Sequence, residues 1–281
     1  MHRALESISY DDHERSPLED VSVIMPIGGL ATRAHGVTQD LIPKHLIQLG
    51  DGRPVLEHVL GGLQTVGFRE FIFCVGRHKD QIIDYIKAGK WSLGDAEYHF
   101  SEEEELLGPD GAVRQAIDQL GVQGQAMVIP GDMLLPWRGL AKMNEYHSRN
   151  NTAVTFGVTS HITERTTDVG KFVVENDTNR LLWCYPRDAK NLEGDRNGSR
   201  GLTSAAAMAI TVSEYTDMID SFVQEKADQP DKKISFRDDI APWLIGHNEF
   251  RVHAYDVQGE ALDLGTPQNI AYGTNNWQNY V

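Results

Sequence analysis

At 281 residues, 40% hydrophobic and 24% charged, the chain has the make-up of an ordinary globular protein, long enough for a real core. A formal net charge of −15 and no Lys/Arg cluster argue against a nucleic-acid partner, although a few cations in a cleft suffice for a small phosphorylated ligand. No run approaches the roughly 18 apolar residues that span a bilayer, so no membrane partner is expected either.

Residues 1–20 are polar and acidic, with neither an apolar period nor the apolar stretch of a secretory signal. They read as a loose extension before one domain over residues 21–281. Order is expected from Val21, where VSVIMPI forms a short buried strand running into a Gly-Gly loop. Val55, Leu56, Val59, Leu60 and Leu63 then share one helix face, and FIFCV (71–75) is a second buried strand. Residues 79–88 follow as an amphipathic helix through Ile82, Ile83 and Ile86, and Glu102 to Glu105 read as a solvated acidic stretch. The next helix places Val113, Ala116, Ile117 and Leu120 on one face, and AMVI (126–129) is another buried strand. This alternation predicts an α/β fold: a Rossmann-like, mostly parallel sheet flanked by helices.

The pattern then changes. FVVENDTNRLLWCY has two strand-like runs around Asn176 to Asn179, an antiparallel hairpin. Residues 187–201 are too polar and glycine-rich for a core element and read as a surface loop, after which SAAAMAITV forms a strand packed through small side chains. Helices follow around Tyr215 to Phe222 and Phe236 to Leu244, then the strands RVHAYDV and ALDLG. Cys74 and Cys184 each lie in an apolar run, as buried thiols do in a reducing cytoplasm, the expected compartment.

Three segments carry chemistry. Ile27-Gly28-Gly29-Leu30-Ala31-Thr32-Arg33 directly follows the first strand, and open parallel sheets bind ligands beyond the carboxyl ends of their strands. Exposed backbone N–H groups there make an anion site, to which Arg33 adds a permanently charged fork and Lys44 a second cation. Neither G-x-G-x-x-G nor G-x-x-x-x-G-K-[ST] spacing is present, which argues against a dinucleotide fingerprint and a P-loop. Pro130-Gly131-Asp132 and Asp263-Leu264-Gly265-Thr266-Pro267 each place a carboxylate just past a strand. Such a carboxylate suits a magnesium ion that takes its other ligands from phosphates; each Asp also suits a turn or helix cap. His35 and His45 flank the loop, but no histidine spacing indicates zinc.

In order and spacing, G-G-L-A-T-R, P-K, G-D and D-L-G-T-P resemble the sugar 1-phosphate nucleotidyltransferase family over residues 21–275. The resemblance implies a nucleoside triphosphate and a sugar 1-phosphate as substrates, magnesium as cofactor, and an antiparallel sugar-binding subregion beside the parallel sheet. By that resemblance Gly28, Gly29 and Leu30 lie against base and ribose, Arg33 and Lys44 against the triphosphate, and Gly111 against the base. Asp132 and Asp263 share the metal, with Arg33, Lys44 and Asp132 as the catalytic set. Gly170 and Ser204 belong to the sugar side. Relatives commonly assemble, so a homo-oligomer is implied, and the short stretch after Asp263 leaves no room for the β-helical tail of some members.

The chain departs from the family on the acceptor side. Cys184-Tyr185-Pro186 stands where the family has Glu-Lys-Pro, removing the carboxylate for sugar hydroxyls and the lysine for the sugar phosphate. Arg187 and Lys171 are the candidate replacements for that cation. Ala31 replaces a family glycine, and Ser204-Ala205-Ala206 replaces Asn-Ala-Gly. The expected acceptor is therefore an unusual one, a modified sugar or a cyclitol phosphate. Two other classes fit less well. A catalytically silent nucleotide-sugar-binding relative has no need of two cations and two metal carboxylates. A metal-dependent glycosyltransferase would carry D-x-D, whereas Asp132 precedes Met133 and Leu134.

Overall fold

The computed structural model describes residues 16–30, 32–89, 95–161, 171–185, 198–226, 233–244, 247 and 249–280. Its frame is one nine-stranded sheet. Four strands run parallel in the order β3 (Glu97–Glu102), β2 (Glu70–Val75), β1 (Ser22–Pro26), β4 (Gln125–Val128). The antiparallel β9 (Ser199–Thr211) follows, then β6 (Val154–Thr159) and β10 (Val252–Asp256), both aligned with the parallel set. Strand order reverses at β1, with β2 and β3 on one side and β4 on the other, which leaves a crevice beyond the ends of β1 and β4.

Side chains alternate between two cores, as a sheet covered on both faces requires. Val23 and Met25 of β1 face one core and Ile24 the other; Phe71 and Phe73 of β2 oppose Ile72 and Cys74 in the same way. On β9, Ala205, Ala207 and Ala209 join the first core, where they let α5 (Trp137–Asn150) approach closely, while Met208 and Ile210 join the second. Helix α2 (Val55–Thr65) covers the first core; α4 (Pro109–Leu120) and α6 (Val212–Glu225) cover the second. Cys74 and Cys184 are buried, free thiols. Among the described residues, no helix is long and apolar enough to cross a membrane.

The expected hairpin is β7 (Lys171–Glu175) with β8 (Leu181–Tyr185), turning through Asn179 at φ 61°. It joins the main sheet through β7 and β9. Four differences from the sequence expectations stand out. Leu18, within the supposed extension, is buried in the first core. β9 begins at Ser199, inside the segment read as a loop, because its first residues pair with β7. β3 went unrecognised: it is an edge strand whose Glu97, Tyr98 and His99 are exposed, so its sequence shows no buried face. Finally, the helix expected around Phe236 opens as a π-helical turn, Phe236–Ile240, before the short α7 (Ala241–Trp243).

Candidate active site

Beyond the ends of β1 and β4 lies a cleft of about 460 Å³. Its floor on one side is Gly28, Gly29 and Leu30, which continue from β1. A Cβ on Gly28 would stand 2.7 Å from the Gly76 nitrogen and collide with the Glu103 carboxylate, whereas one on Gly29 would meet nothing within 4 Å. The first glycine is therefore demanded by packing against the β2 loop, and the second leaves the surface open to a ligand.

Arg33 sits in a short 3₁₀ turn, Thr32–Ala34, and Lys44 opens another, Lys44–Leu46, after Pro43. Both cations reach carboxylates far away in sequence. Lys44 Nζ donates to Asp132 Oδ2 at 2.5 Å, and Arg33 Nη2 to Asp263 Oδ2 at 3.1 Å. The carboxylates are neighbours because β5 (Met133–Leu134) pairs with β11 (Leu262–Asp263) and the Leu264 N–H donates to the Asp132 carbonyl. Gly265 keeps this junction open: a Cβ there would lie 2.7 Å from Arg33 Nη2. Two cations and two anions thus form a neutral quartet in the cleft.

The pairs differ in environment. Lys44 and Asp132 are 19% and 8% exposed, Arg33 and Asp263 37% and 13%. Burial, the largest influence, would raise the Asp132 carboxyl, but Lys44 together with the neighbouring His45 and Arg33 holds the acid below the ordinary range. Beside them His45 is fully buried with neither ring nitrogen hydrogen-bonded; burial, then the Lys44 charge, push its imidazole down to about 3. It is neutral at working pH. His35, by contrast, is exposed and 3.5 Å from Asp40. The donor set of the quartet fits magnesium: two carboxylates supply hard oxygen ligands, and among the described residues no third His, Cys, Asp or Glu completes a protein cage.

The remaining expectations divide. Gly111 lies inside the first turn of α4 and does not line the cleft; Gly108 and Pro109 just before it do. Ser204 lines the cleft, with its Oγ accepting from the Ala206 N–H at 2.9 Å. Lys171 starts β7 and is not among the described residues that line the cleft; Gly170 and Arg187 lie outside the described residues. The cleft instead presents Arg237, its guanidinium paired with the neighbouring Asp238, which the sequence reading missed. Cys184, standing where the family has glutamate, donates its Sγ–H to the Arg237 carbonyl at 3.5 Å, so Arg237 adjoins the place of the missing lysine. Phe156 and Phe236, with ring centroids 4.6 Å apart, wall the same end.

Glu103 corrects the reading of the acidic stretch. Its carboxylate faces the cleft next to Gly28 and accepts from the Leu107 N–H at 3.0 Å; burial pushes its pKa up, against Leu107 and Lys233. Glu102, Glu104 and Glu105 are exposed as expected, Glu102 paired with Lys79 at 2.7 Å. A run of four glutamates gives no sign of which one turns inward; the preceding strand β3 would have given it.

Residues 21–180 match the family model described as "Nucleotidyl transferase". The mannose-1-phosphate guanyltransferase of Saccharomyces cerevisiae is 24% identical over 251 residues, covering 88% of this chain and 62% of that one. The chain thus spans less than two thirds of the length of the curated guanyltransferases it matches. Among solved structures, HddC from Yersinia pseudotuberculosis complexed with GMP-PN superposes with a TM-score of 0.67 at 20% identity, covering 92% of this chain and 99% of that one. A UDP-glucose pyrophosphorylase complexed with UDP-glucose gives 0.69 at 14% identity, covering 92% and 98%. These structural likenesses establish the fold.

Proposed function

Because the chain belongs to the nucleotidyl transferase family, we propose that it transfers a nucleotidyl group from a nucleoside triphosphate to a sugar 1-phosphate, releasing pyrophosphate. The observation that carries this reading is the quartet of Arg33, Lys44, Asp132 and Asp263 in one cleft. A binding module for a neutral sugar has no use for it. A reaction between two polyanions does.

The chemistry is positioning and charge neutralisation. An oxygen of the sugar phosphate attacks the α-phosphorus in line; the new P–O bond forms as the bond to pyrophosphate breaks, and the electron pair leaves with the pyrophosphate. The nucleophile is already anionic near neutral pH, so no general base is needed, in keeping with the neutral, enclosed His45. Arg33 and Lys44 exchange their carboxylate partners for phosphate oxygens and stabilise charge on the transferring and leaving groups. Asp132 and Asp263, freed by the same exchange, would hold magnesium. When bound, the ion supplies further neutralisation of phosphate oxygens.

At the base end, a carboxylate recognises hydrogen-bond donors. The Glu103 carboxylate suits the N1–H and N2–H₂ edge of guanine, and the relatives spanning most of the chain are named mannose-1-phosphate guanyltransferases. At the acceptor end Arg237 takes the phosphate cation's role that Cys184-Tyr185 cannot fill, and Ser204 faces the sugar. The buried thiols Cys74 and Cys184 support a cytoplasmic location.

The test is pyrophosphate release from each of five nucleoside triphosphates with a panel of hexose, heptose and cyclitol 1-phosphates. The expected result is release with GTP and at least one acceptor, abolished by a chelator and restored by magnesium. Nucleotide-sugar binding without release from any pair would favour a catalytically silent relative.

A further inference from the structure

Arg237 follows a segment, Lys233 to Phe236, that crosses the cleft wall with little sheet or helix of its own. What fixes it is the loop before α4. The Ile234 N–H donates to the Leu107 carbonyl at 2.8 Å, and the Asp110 N–H donates to the Ile234 carbonyl at 3.1 Å. Gly108 has φ 82°, and a Cβ there would stand 2.6 Å from the Ile234 oxygen, so the loop accepts the segment only through glycine.

The second anchor is the Asp110 side chain, 3% exposed. Its Oδ2 accepts from the Phe236 N–H at 2.5 Å, one residue before Arg237, and its Oδ1 accepts from the Tyr215 hydroxyl at 2.7 Å. Tyr215 is fully buried on α6. Burial pushes the Asp110 carboxyl up to about 6, against the two donors, and the nearby Asp239 and Asp238 raise it further. For stability alone this is a poor choice of acceptor, since a neutral group holds two donors without the desolvation of a carboxylate.

We propose that Asp110 is a positioning residue: by clamping Phe236 to the loop Leu107–Asp110, it sets Arg237 at the acceptor phosphate and couples the nucleotide wall of the cleft to its acceptor wall. The inference rests on the nucleotidyl-transfer reading above, because it assigns Arg237 an anionic partner. Tyr215 in turn fixes the carboxylate's rotamer from behind.

The experiment is equilibrium binding by calorimetry, which needs no turnover. GTP with magnesium and, separately, mannose 1-phosphate are titrated into wild type, Asp110→Ala, Asp110→Asn, Arg237→Ala and the Asp110→Ala/Arg237→Ala pair. Asp110→Ala is expected to weaken mannose 1-phosphate by roughly 10-fold or more and GTP by less than about 3-fold. Asp110→Asn retains an acceptor for Phe236 and is expected to stay within about 3-fold of wild type for both ligands. The double variant should bind mannose 1-phosphate no more weakly than Arg237→Ala alone, the signature of one residue acting through the other. Additive losses, or unchanged affinity in Asp110→Ala, overturn the inference while leaving the functional reading in place. A wild type that binds neither ligand overturns both. If Asp110→Ala fails to fold, Tyr215→Phe removes one donor; a rise of about 2- to 5-fold in the mannose 1-phosphate dissociation constant supports the clamp, and no rise counts against it.

Discussion

Lys44 and Arg33 make similar contacts and should have dissimilar consequences. Removing Lys44 strands Asp132, a carboxylate 8% exposed, in a pocket it shares with His45. Breaking a buried pair from one side typically costs about 3 kcal/mol, so Lys44→Ala should lower the unfolding free energy from urea titration by that order. Arg33 is 37% exposed, and solvent screening reduces its pair with Asp263 to roughly 1 kcal/mol or less. Both variants should nevertheless lose transfer activity. Equal destabilisation by the two would show that the Lys44–Asp132 pair is not the enclosed one. The cation–carboxylate partners were individually legible in the sequence, since each follows a strand or opens a turn. Their pairing was not, because it depends on β5 meeting β11 across 128 to 130 positions of intervening chain. Glu103 and Arg237 escaped for a related reason: one lies in a run of like charges, the other in a polar segment whose inward face is set by Asp110, not by periodicity.

Among the elements, β9 carries the clearest strain. Ala206 sits in the strand at φ 53°, beside an irregularity where Phe156 pairs with Met208 but Val158 pairs with Ser204. A left-handed alanine costs roughly 1–2 kcal/mol, and glycine at the same place would relieve that while adding disorder to the unfolded chain. Ala206→Gly should therefore stabilise by about 0.5–1 kcal/mol, seen as a higher urea midpoint with an unchanged slope. A lower midpoint would mean that the Ala206 methyl packs for more than its backbone loses. The bulge turns Ser204 and Ala206 to line the cleft, so strain here serves the site. Strongly patterned elements such as β1, β2, α2 and α4 were readable because both faces or one clear stripe are apolar. The edge strand β3 was not, since it has no buried stripe at strand period; the turn at Phe236–Ile240 was read as helical from its buried Phe236 and Ile240, but that spacing does not mark its π geometry.

At the scale of the whole molecule, buried titratable groups such as His45, His147 and Asp110 give stability its pH dependence. Burial pushes His45 down to about 3 and His147 down to about 4, so between about 6.5 and those values the unfolded chain takes up protons the native chain refuses. Their contribution is complete above about pH 6.5 and is lost as pH falls. Asp110, raised to about 6, works the other way: its native carboxyl is protonated before the unfolded one, so its contribution grows as pH falls from 6 towards 4. The histidines that burial holds down, His58 and His253 included, outnumber the raised carboxyls Asp110 and Glu103 and predict a net loss of stability on mild acidification. The Asp110→Asn variant should be the more stable protein at pH 7.5 and lose that advantage on acidification through pH 6, leaving a steeper acid decline than wild type; parallel curves would contradict the assignment.

If the quartet performs nucleotidyl transfer, its carboxylates govern the initial rate of pyrophosphate release from GTP and mannose 1-phosphate with magnesium, measured side by side in wild type and Asp263→Asn. Asp263 is the carboxylate to change because its partner Arg33 remains partly in solvent, so the fold should survive. Wild type should turn over, and the variant's rate should fall by roughly 100-fold or more with unchanged thermal unfolding. Wild-type rates in Asp263→Asn would contradict that role for the quartet.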